Sequence, residues 1–536
     1  MAKNVLFIMC DQLRYDYLSC AGHKTLRTPN IDALAARGVR FDQAYVQSPI
    51  CGPSRMSTYT GRYVRSHGAS WNIFPLPVGQ MTMADYLEPL GVRTALCGKS
   101  HMLPDIPGMK RLGIDPASPQ GRRLAEGGFE VWDRLDGIHP DECPPPSHYN
   151  NHLRKNGFGG DNPWEDWANS AEDEDGTLLS GWLMENANKP ARAPDAQSET
   201  PYTTTRAMEF IEDAGDQPWC LHLSYIKPHW PYIVPEPYHA MYGPDDVQAA
   251  KRCDGERENA HPILEAYFEH RFSKVFTRDE VRARVIPAYM GLIAQIDDQI
   301  GRLMAWLDAR DLTKDTLIVF TSDHGDYLGD HWLGEKELFH DPSARVPLIV
   351  VEPSSDADQT RGEVNRDLVE AIDLLPTFLD WFGGQPRPEV LEGRSLLPLL
   401  RAQDVQWRDV AISEYDYSGR RARKLLGQPV SDCRLTMLFD GRWKYIHAEG
   451  FRPMLYDLKN DPDEFRDLGQ DPACADTIQR LNDRMGKWNR QHHNRTTISD
   501  KAIETRKGGE LAKGIIIGFW DEEELAAARN AGESGN

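Results

Sequence analysis

Cys51 opens the stretch Cys51-Gly52-Pro53-Ser54-Arg55, and Thr60-Gly61-Arg62 follows a short helical length later. Proline suits the first turn of a helix and Gly61 can end one, so the sulfur is expected beside a helix N-terminus. Unpaired N–H groups there favour anions, and Arg55 lies one turn further on. A lone cysteine is more often a buried structural residue, so chemistry at Cys51 requires a metal and charges from elsewhere. Two strand ends offer them. Asn4-Val5-Leu6-Phe7-Ile8-Met9 is an apolar run that leads into Cys10-Asp11-Gln12, and Thr316-Leu317-Ile318-Val319-Phe320 leads into Thr321-Ser322-Asp323-His324-Gly325. Such runs are central strands of a parallel sheet, and open α/β sheets bind ligands at the carboxyl ends of their strands. Asp11, Gln12, Asp323 and His324 therefore form a candidate divalent-cation site. Its oxygen ligands suit Ca²⁺, Mg²⁺ or Mn²⁺, and its imidazole shifts the balance towards Mn²⁺ or Zn²⁺. Each pair alone is an ordinary strand-end turn. Two such pairs alongside the Cys51-to-Arg55 stretch argue against coincidence and point to one site.

Further cations and imidazoles follow the same grammar. Gly98-Lys99-Ser100-His101 succeeds a short strand from Arg93 to Cys97, and Lys227-Pro228-His229-Trp230-Pro231 succeeds another from Trp219 to Tyr225. Lys336 follows the Asp323-His324 turn. A surface lysine is ordinarily just solvated, but all of these sit beyond strand ends or the metal turn.

On these motifs the chain resembles the type I sulfatases of the alkaline phosphatase superfamily, in the branch of bacterial arylsulfatases, choline sulfatases and phosphonate monoester hydrolases. The resemblance runs from residue 4 to about 490 and takes in Thr28-Pro29-Asn30-Ile31-Asp32, Arg345-Val346-Pro347-Leu348-Ile349, Asp373-Leu374-Leu375-Pro376-Thr377 and Leu455-Tyr456-Asp457-Leu458. It implies that a formylglycine-generating enzyme oxidises Cys51 to formylglycine, whose hydrate is a geminal diol. It also implies that Arg55 holds this diol, that His101 bonds the hydroxyl that regenerates the aldehyde, and that Lys99 and Lys336 contact sulfate. His229 would contact the sulfate and protonate the leaving oxygen. Asp11, Gln12, Asp323 and His324 would share one divalent ion, Ca²⁺ or Mn²⁺ first, with Zn²⁺ or Mg²⁺ as alternatives. Phosphonate monoester hydrolases share the nucleophile and metal pairs and have an asparagine about where Asn72 lies, which implies a substrate-binding Asn72. They carry Tyr and Thr hydroxyls in place of Lys99 and His101. The expected activity is therefore hydrolysis of aryl or alkyl sulfate monoesters, with phosphonate monoester or phosphodiester hydrolysis as the alternative.

These residues need a rigid frame. Residues 1 to about 400 alternate short apolar strands with helical patterns, the signature of an α/β fold. The resemblance makes this an alkaline-phosphatase-like sandwich: a large, mostly parallel sheet covered by helices on both faces. Within it, 103–200 is rich in Pro, Gly, Trp and Asp and is expected as a loop-rich insertion walling the substrate side. A helix over about 278–309 carries the apolar stripe Leu292, Ile293, Ile296, Ile300, Leu303 and Met304, expected as core. Residues 401–495 hold aromatic strand candidates and a helix from about Ala475 to Trp488, the pattern of a smaller antiparallel α+β domain. The polar tail 496–536 contains Ile515-Ile516-Ile517-Gly518-Phe519-Trp520, a candidate oligomerisation arm for a dimer or tetramer.

Composition narrows the partners. With 61 Lys and Arg against 82 Asp and Glu, the net charge is −21 and no basic stripe serves nucleic acid. Surface repulsion of an anionic substrate is screened within about 8–10 Å at ordinary salt, so local cations decide binding. No apolar run approaches the roughly 20 residues that span a bilayer, and the first strand begins at once, leaving no room for a signal peptide. Nine irregularly spaced cysteines show no disulfide or zinc framework. A cytoplasmic, reduced protein is expected.

Overall fold

The structure, a computed structural model, describes residues 3–137, 147–491, 496–505, 516 and 519–531. Its strands in chain order are β1 (Asn4–Asp11), β2 (Val39–Tyr45), β3 (Arg93–Gly98), β4 (Glu130–Arg134), the small hairpin β5 (Ser170–Glu172) and β6 (Leu178–Ser180), β7 (Trp219–Pro228), β8 (Thr316–Ser322), β9 (Arg345–Val351) and β10 (Val364–Glu370). The main sheet has eight strands in the order β10-β2-β9-β8-β1-β7-β3-β4. Only β9 runs against its neighbours, and the other pairings are parallel.

β1 and β8 have no exposed position. Along β1, Leu6, Ile8 and Cys10 face a core with Phe210 and Ile211 of the helix Glu199–Ala214 and with Ile293, Ile296 and Ile300 of the helix Asp279–Asp308. Val5, Phe7 and Met9 face the other core, against Met56 and Tyr59 of the helix Cys51–Thr60 and Leu375 and Phe378 of the helix Leu374–Trp381. Helices thus cover both faces, as the alternation of elements predicts. Burying each such side chain contributes roughly 1.5–3 kcal/mol relative to exposure. The strands that carry Asp11 and Asp323 are therefore among the last elements to open.

A second sheet follows as an antiparallel meander of β11 (Ala411–Asp416), β12 (Arg434–Phe439), β13 (Trp443–Ala448) and β14 (Met454–Asp457). The helix Ala475–Arg490 lays Leu481 and Met485 on Ile412, Leu438, Tyr445 and Leu455. The opposite face, with Tyr415, Met437 and Ile446, shares a core with Tyr45 and Ile50 of the main body.

Three strands lie within the segment read as loop-rich: the hairpin β5–β6, and β4, which forms an edge of the main sheet. The β4 residues Glu-Val-Trp-Asp-Arg carry three charges in five positions, so neither alternation nor an apolar run announces it. In the tail, Ile515, Ile517 and Gly518 of the candidate arm lie outside the described residues, while Ile516 and Trp520 are exposed. Among the described residues no helix is long and apolar enough to cross a membrane.

Candidate active site

β1 and β8 are paired neighbours, so Asp11 and Asp323 emerge at one edge. The backbone N–H of Gln12 donates to Asp323 Oδ1 at 3.0 Å and ties the two ends together, with Gln12 itself in the left-handed region at φ 65°. Donor atoms of Asp11, Asp323, His324 and Cys51 all lie within 4.8 Å of one another and are buried. His324 Nδ1 donates to the Gly325 carbonyl at 2.9 Å. In the neutral ring Nε2 then carries a lone pair, and it lies 3.8 Å from Asp11 Oδ1 and 3.7 Å from Asp323 Oδ1. Two carboxylates and an oriented imidazole fit a divalent cation. Burial and the neighbouring Cys51 would raise the Asp11 carboxyl, but Lys99, His229 and Arg55 outweigh them and hold it below the usual carboxylate range.

The structure brings three of the four expected metal residues together with Cys51. Gln12 lies beside them. Its side-chain carbonyl accepts from Lys336 Nζ at 2.9 Å and its amide donates to Asp326. Asp326 is buried and also accepts from the Tyr232 hydroxyl at 3.1 Å.

Cys51 starts a helix buried over its whole length, which ends on Gly61 in the left-handed region, as the Pro53 and Gly61 positions predict. Ser54 Oγ donates to the Asp323 carbonyl at 2.6 Å, fixing this helix to the end of β8. The Gly52 N–H donates to Asn72 Oδ1 at 2.8 Å, and a Cβ on Gly52 would press on Asn72 at 3.0 Å. Asn72 thus caps the nucleophile's helix. Cys51 Sγ lies 3.0 Å from His324 Nε2 and 3.3 Å from Lys336 Nζ. Burial would push the thiol up, but Lys336, Lys99, His324 and a bond from His101 together hold it well below its ordinary range. The sulfur marks where an oxygen of the oxidised side chain would sit.

The cations are arranged around this point. Arg55 is fully buried. Its Nε donates to Asp323 Oδ2 at 2.8 Å, Nη1 to the Lys99 carbonyl at 2.9 Å and Ser224 Oγ at 2.8 Å, and Nη2 lies 3.5 Å from Asp11 Oδ2. It therefore braces both metal carboxylates. Lys99 is ion-paired with Asp11. Lys336 Nζ is 3.3 Å from His229 Nε2, while His229 Nδ1 donates to the Trp230 carbonyl at 2.7 Å. Burial brings the His229 imidazole down to about 4.

Sequence reasoning missed the clamp that holds Lys99 and His101. His101 sits at φ 51°, a strained backbone for a non-glycine residue. Asp136 Oδ1 accepts from the N–H of Ser100 at 3.2 Å and of His101 at 3.4 Å. Ser100 Oγ bonds Glu126, and Arg134 bridges Glu126 Oε1 at 2.8 Å to Asp136 Oδ2 at 2.6 Å. Nothing local in the sequence links these residues to the site, because they reach it through the pairing of β3 with β4. Asp136→Asn is expected to lower kcat roughly 10- to 100-fold by shifting the loop. KM should change less, because Lys99 keeps its pairing with Asp11, and steady-state kinetics checks the split.

Comparison with known proteins agrees with this geometry. The family described as Sulfatase matches residues 3–384, and the C-terminal region described as N-sulphoglucosamine sulphohydrolase matches residues 329–491. The chain is 33% identical over 521 residues to the multifunctional alkaline phosphatase superfamily protein PehA of Trinickia caryophylli, covering 92% of this chain and 96% of that one. It is 26% identical to an arylsulfatase of Clostridium perfringens, covering 90% and 93%. The phosphonate monoester hydrolase of Silicibacter pomeroyi superposes with a TM-score of 0.80 at 28% identity, covering 93% and 98%. With the Sulfatase family matched over residues 3–384 and a 33% identical relative covering 92% of the chain, the chain belongs to the sulfatase family of the alkaline phosphatase superfamily.

Proposed function

We propose that the protein hydrolyses sulfate monoesters at Cys51, with phosphonate monoesters and phosphodiesters as a second class of substrate. The observation that carries this reading is the convergence of Lys99, Lys336, Arg55, His101, His229 and His324 around one buried sulfur in a chain whose net charge is −21. A site this dry makes each cation count for more than the acidic surface. The Clostridium perfringens arylsulfatase favours sulfate as the first class. The phosphonate hydrolase fold favours the second, and both esters present one negative charge.

Asp11, Gln12, Asp323 and His324 would hold a divalent ion, proposed as Ca²⁺ or Mn²⁺, that would supply positive charge for the ester oxygens, and conversion of Cys51 to formylglycine would supply a geminal diol. Lys99 and Lys336 flank the nucleophile and bind sulfate oxygens. Arg55 fixes the two carboxylates in place. His229, its ring set by the Trp230 carbonyl, turns Nε2 to the ester, and the incoming anion favours the protonated form that can give its proton to the leaving oxygen. His101 faces the nucleophile from the other side and accepts a proton from it. Among the described residues every cysteine is free, which supports a reduced, cytoplasmic setting.

The test compares phenyl sulfate with the matching phenyl phosphonate monoester under one set of conditions. A higher kcat/KM for the sulfate is expected. Lys99→Ala should lower the sulfate value roughly 10- to 150-fold, the worth of a charge-assisted hydrogen bond. A phosphonate preference above roughly tenfold, about 1.4 kcal/mol in transition-state binding, reverses the order of the two readings.

A further inference from the structure

A cavity of about 590 Å³ opens beside His229, walled by Trp182, Leu183, Trp230, Phe272 and Val275. Cavities of roughly 300–1,000 Å³ lined by aromatic and apolar groups are the ordinary form of a small-molecule site. This volume exceeds what a sulfate group needs, and nothing derived above uses it.

Its position relative to the chemistry is fixed by a chain of rings. The His229 and Trp230 rings lie 4.2 Å apart, Trp230 and Trp182 5.7 Å apart, and Trp182 and Trp164 5.7 Å apart. His229 Nε2 faces Lys336, and Lys336 faces Cys51. The cavity wall at Trp230 is therefore one ring removed from the imidazole that the proposed reaction places at the leaving oxygen. Trp182 is 42% exposed and Leu183 53% exposed, so both present apolar surface that a ligand in the cavity can cover. The charged side chains along the walls are of both signs, so ring faces rather than net charge set the preference.

We infer that this cavity is the leaving-group subsite and that it takes a flat aromatic group of about two fused rings, so that the preferred ester is an aryl rather than a short alkyl one. The inference rests on the proposed reaction only for the identity of the ester, since the pocket's preference for aromatic rings is a property of its walls. Stacking against Trp182 and Trp230 in offset or edge-to-face geometry rewards a planar ring and gives a small alkyl chain little.

Two measurements separate the pocket from the reaction. Phenol and 2-naphthol are leaving groups of similar acidity, so the ratio of kcat/KM for 2-naphthyl sulfate to that for phenyl sulfate reads the pocket. The ratio is expected to be roughly tenfold in favour of naphthyl, as the added ring buries more apolar surface. Trp182→Ala should bring it near unity, and Trp182→Phe should restore much of it. Calorimetric titration of 2-naphthol into Cys51→Ala protein then reads binding without turnover. Affinity should fall roughly tenfold on adding Trp182→Ala, with thermal melting confirming that each variant is folded. A naphthyl-to-phenyl ratio near unity in the wild type overturns the inference. So does 2-naphthol that fails to bind, or that binds equally with and without Trp182. Naphthol binding that depends on Trp182, in a protein that turns over neither sulfate, upholds the aromatic pocket and sinks the sulfatase reading alone.

Discussion

Cys51→Ala is expected to abolish ester hydrolysis, with a loss on the order of 10⁶-fold in kcat, the scale seen when a covalent hydrolase loses its nucleophile. The fold should survive. Cys51 is a small buried side chain at the first position of its helix, and neither the Gly52–Asn72 cap nor the Ser54–Asp323 bond passes through it. Deleting a methylene-sized group from a packed site costs about 1 kcal/mol, against a total stability of roughly 5–15 kcal/mol. A thermal melt separates the two outcomes: near-normal stability with no turnover is the expected pair.

Cys51→Ser sharpens the point. Its single hydroxyl can attack sulfur, forming a serine O–S bond as the bond from sulfur to the leaving oxygen breaks and that oxygen takes a proton from His229. It has no second hydroxyl with which to expel the sulfate. The variant should therefore gain the mass of one SO₃ group per chain when given substrate, the serine proton being lost as the O–S bond forms, and release about one leaving group per chain before stopping. Multiple turnovers by Cys51→Ala at the wild-type rate would remove Cys51 from the mechanism.

How much of this site was legible in the sequence differs residue by residue. The strands that end in Asp11 and Asp323 were readable because burial on both faces forces a continuous apolar run, and a polar pair at the end of such a run has few other reasons to be there. The helix behind Cys51 was readable from Pro53 and Gly61, which act through the local backbone. The roles that depend on a distant partner were not readable. Gln12 was expected on the metal, and what the sequence did not show is that its side chain also bonds Lys336 and Asp326, partners set by how the turn after β8 folds back. Asn72 was expected against substrate, and its bond from the Gly52 N–H is a further contact that the sequence did not show. Asp136, Glu126 and Arg134 reach Lys99 and His101 only because β4 pairs with β3. Periodicity reports which face of an element is buried. It carries no record of which remote group completes a hydrogen bond, and the clamp and the aromatic cavity are both of that kind.

Asp323→Asn tests the metal. Asp323 is the most connected of the candidate ligands: one oxygen accepts from the Gln12 N–H at 3.0 Å, the other from Arg55 Nε at 2.8 Å, and its side chain is inaccessible to solvent. Asparagine keeps the shape, so the packing of β8 against β1 should hold. It removes one negative charge from a cluster in which Arg55, Lys99 and Lys336 already sit close, and a divalent metal ion is then held less firmly. Its amide nitrogen can also face Arg55, which places two donors against each other. Bound divalent metal, measured by elemental analysis of the purified protein, should fall from about one per chain in the wild type to well below that. The rate should drop roughly 10²–10³-fold, the usual cost of losing a main electrostatic stabiliser. Excess metal should restore part of it by mass action. Chelation of the wild type should reproduce the loss, and adding back Ca²⁺ or Mn²⁺ separately identifies the ion by which one restores turnover. Arg55→Ala makes a contrasting control, since it removes the brace and leaves the ligands. Metal retained with activity lost in that variant assigns Arg55 to orienting the carboxylates and the nucleophile, whereas a fully active wild-type preparation with no stoichiometric divalent metal excludes the site altogether.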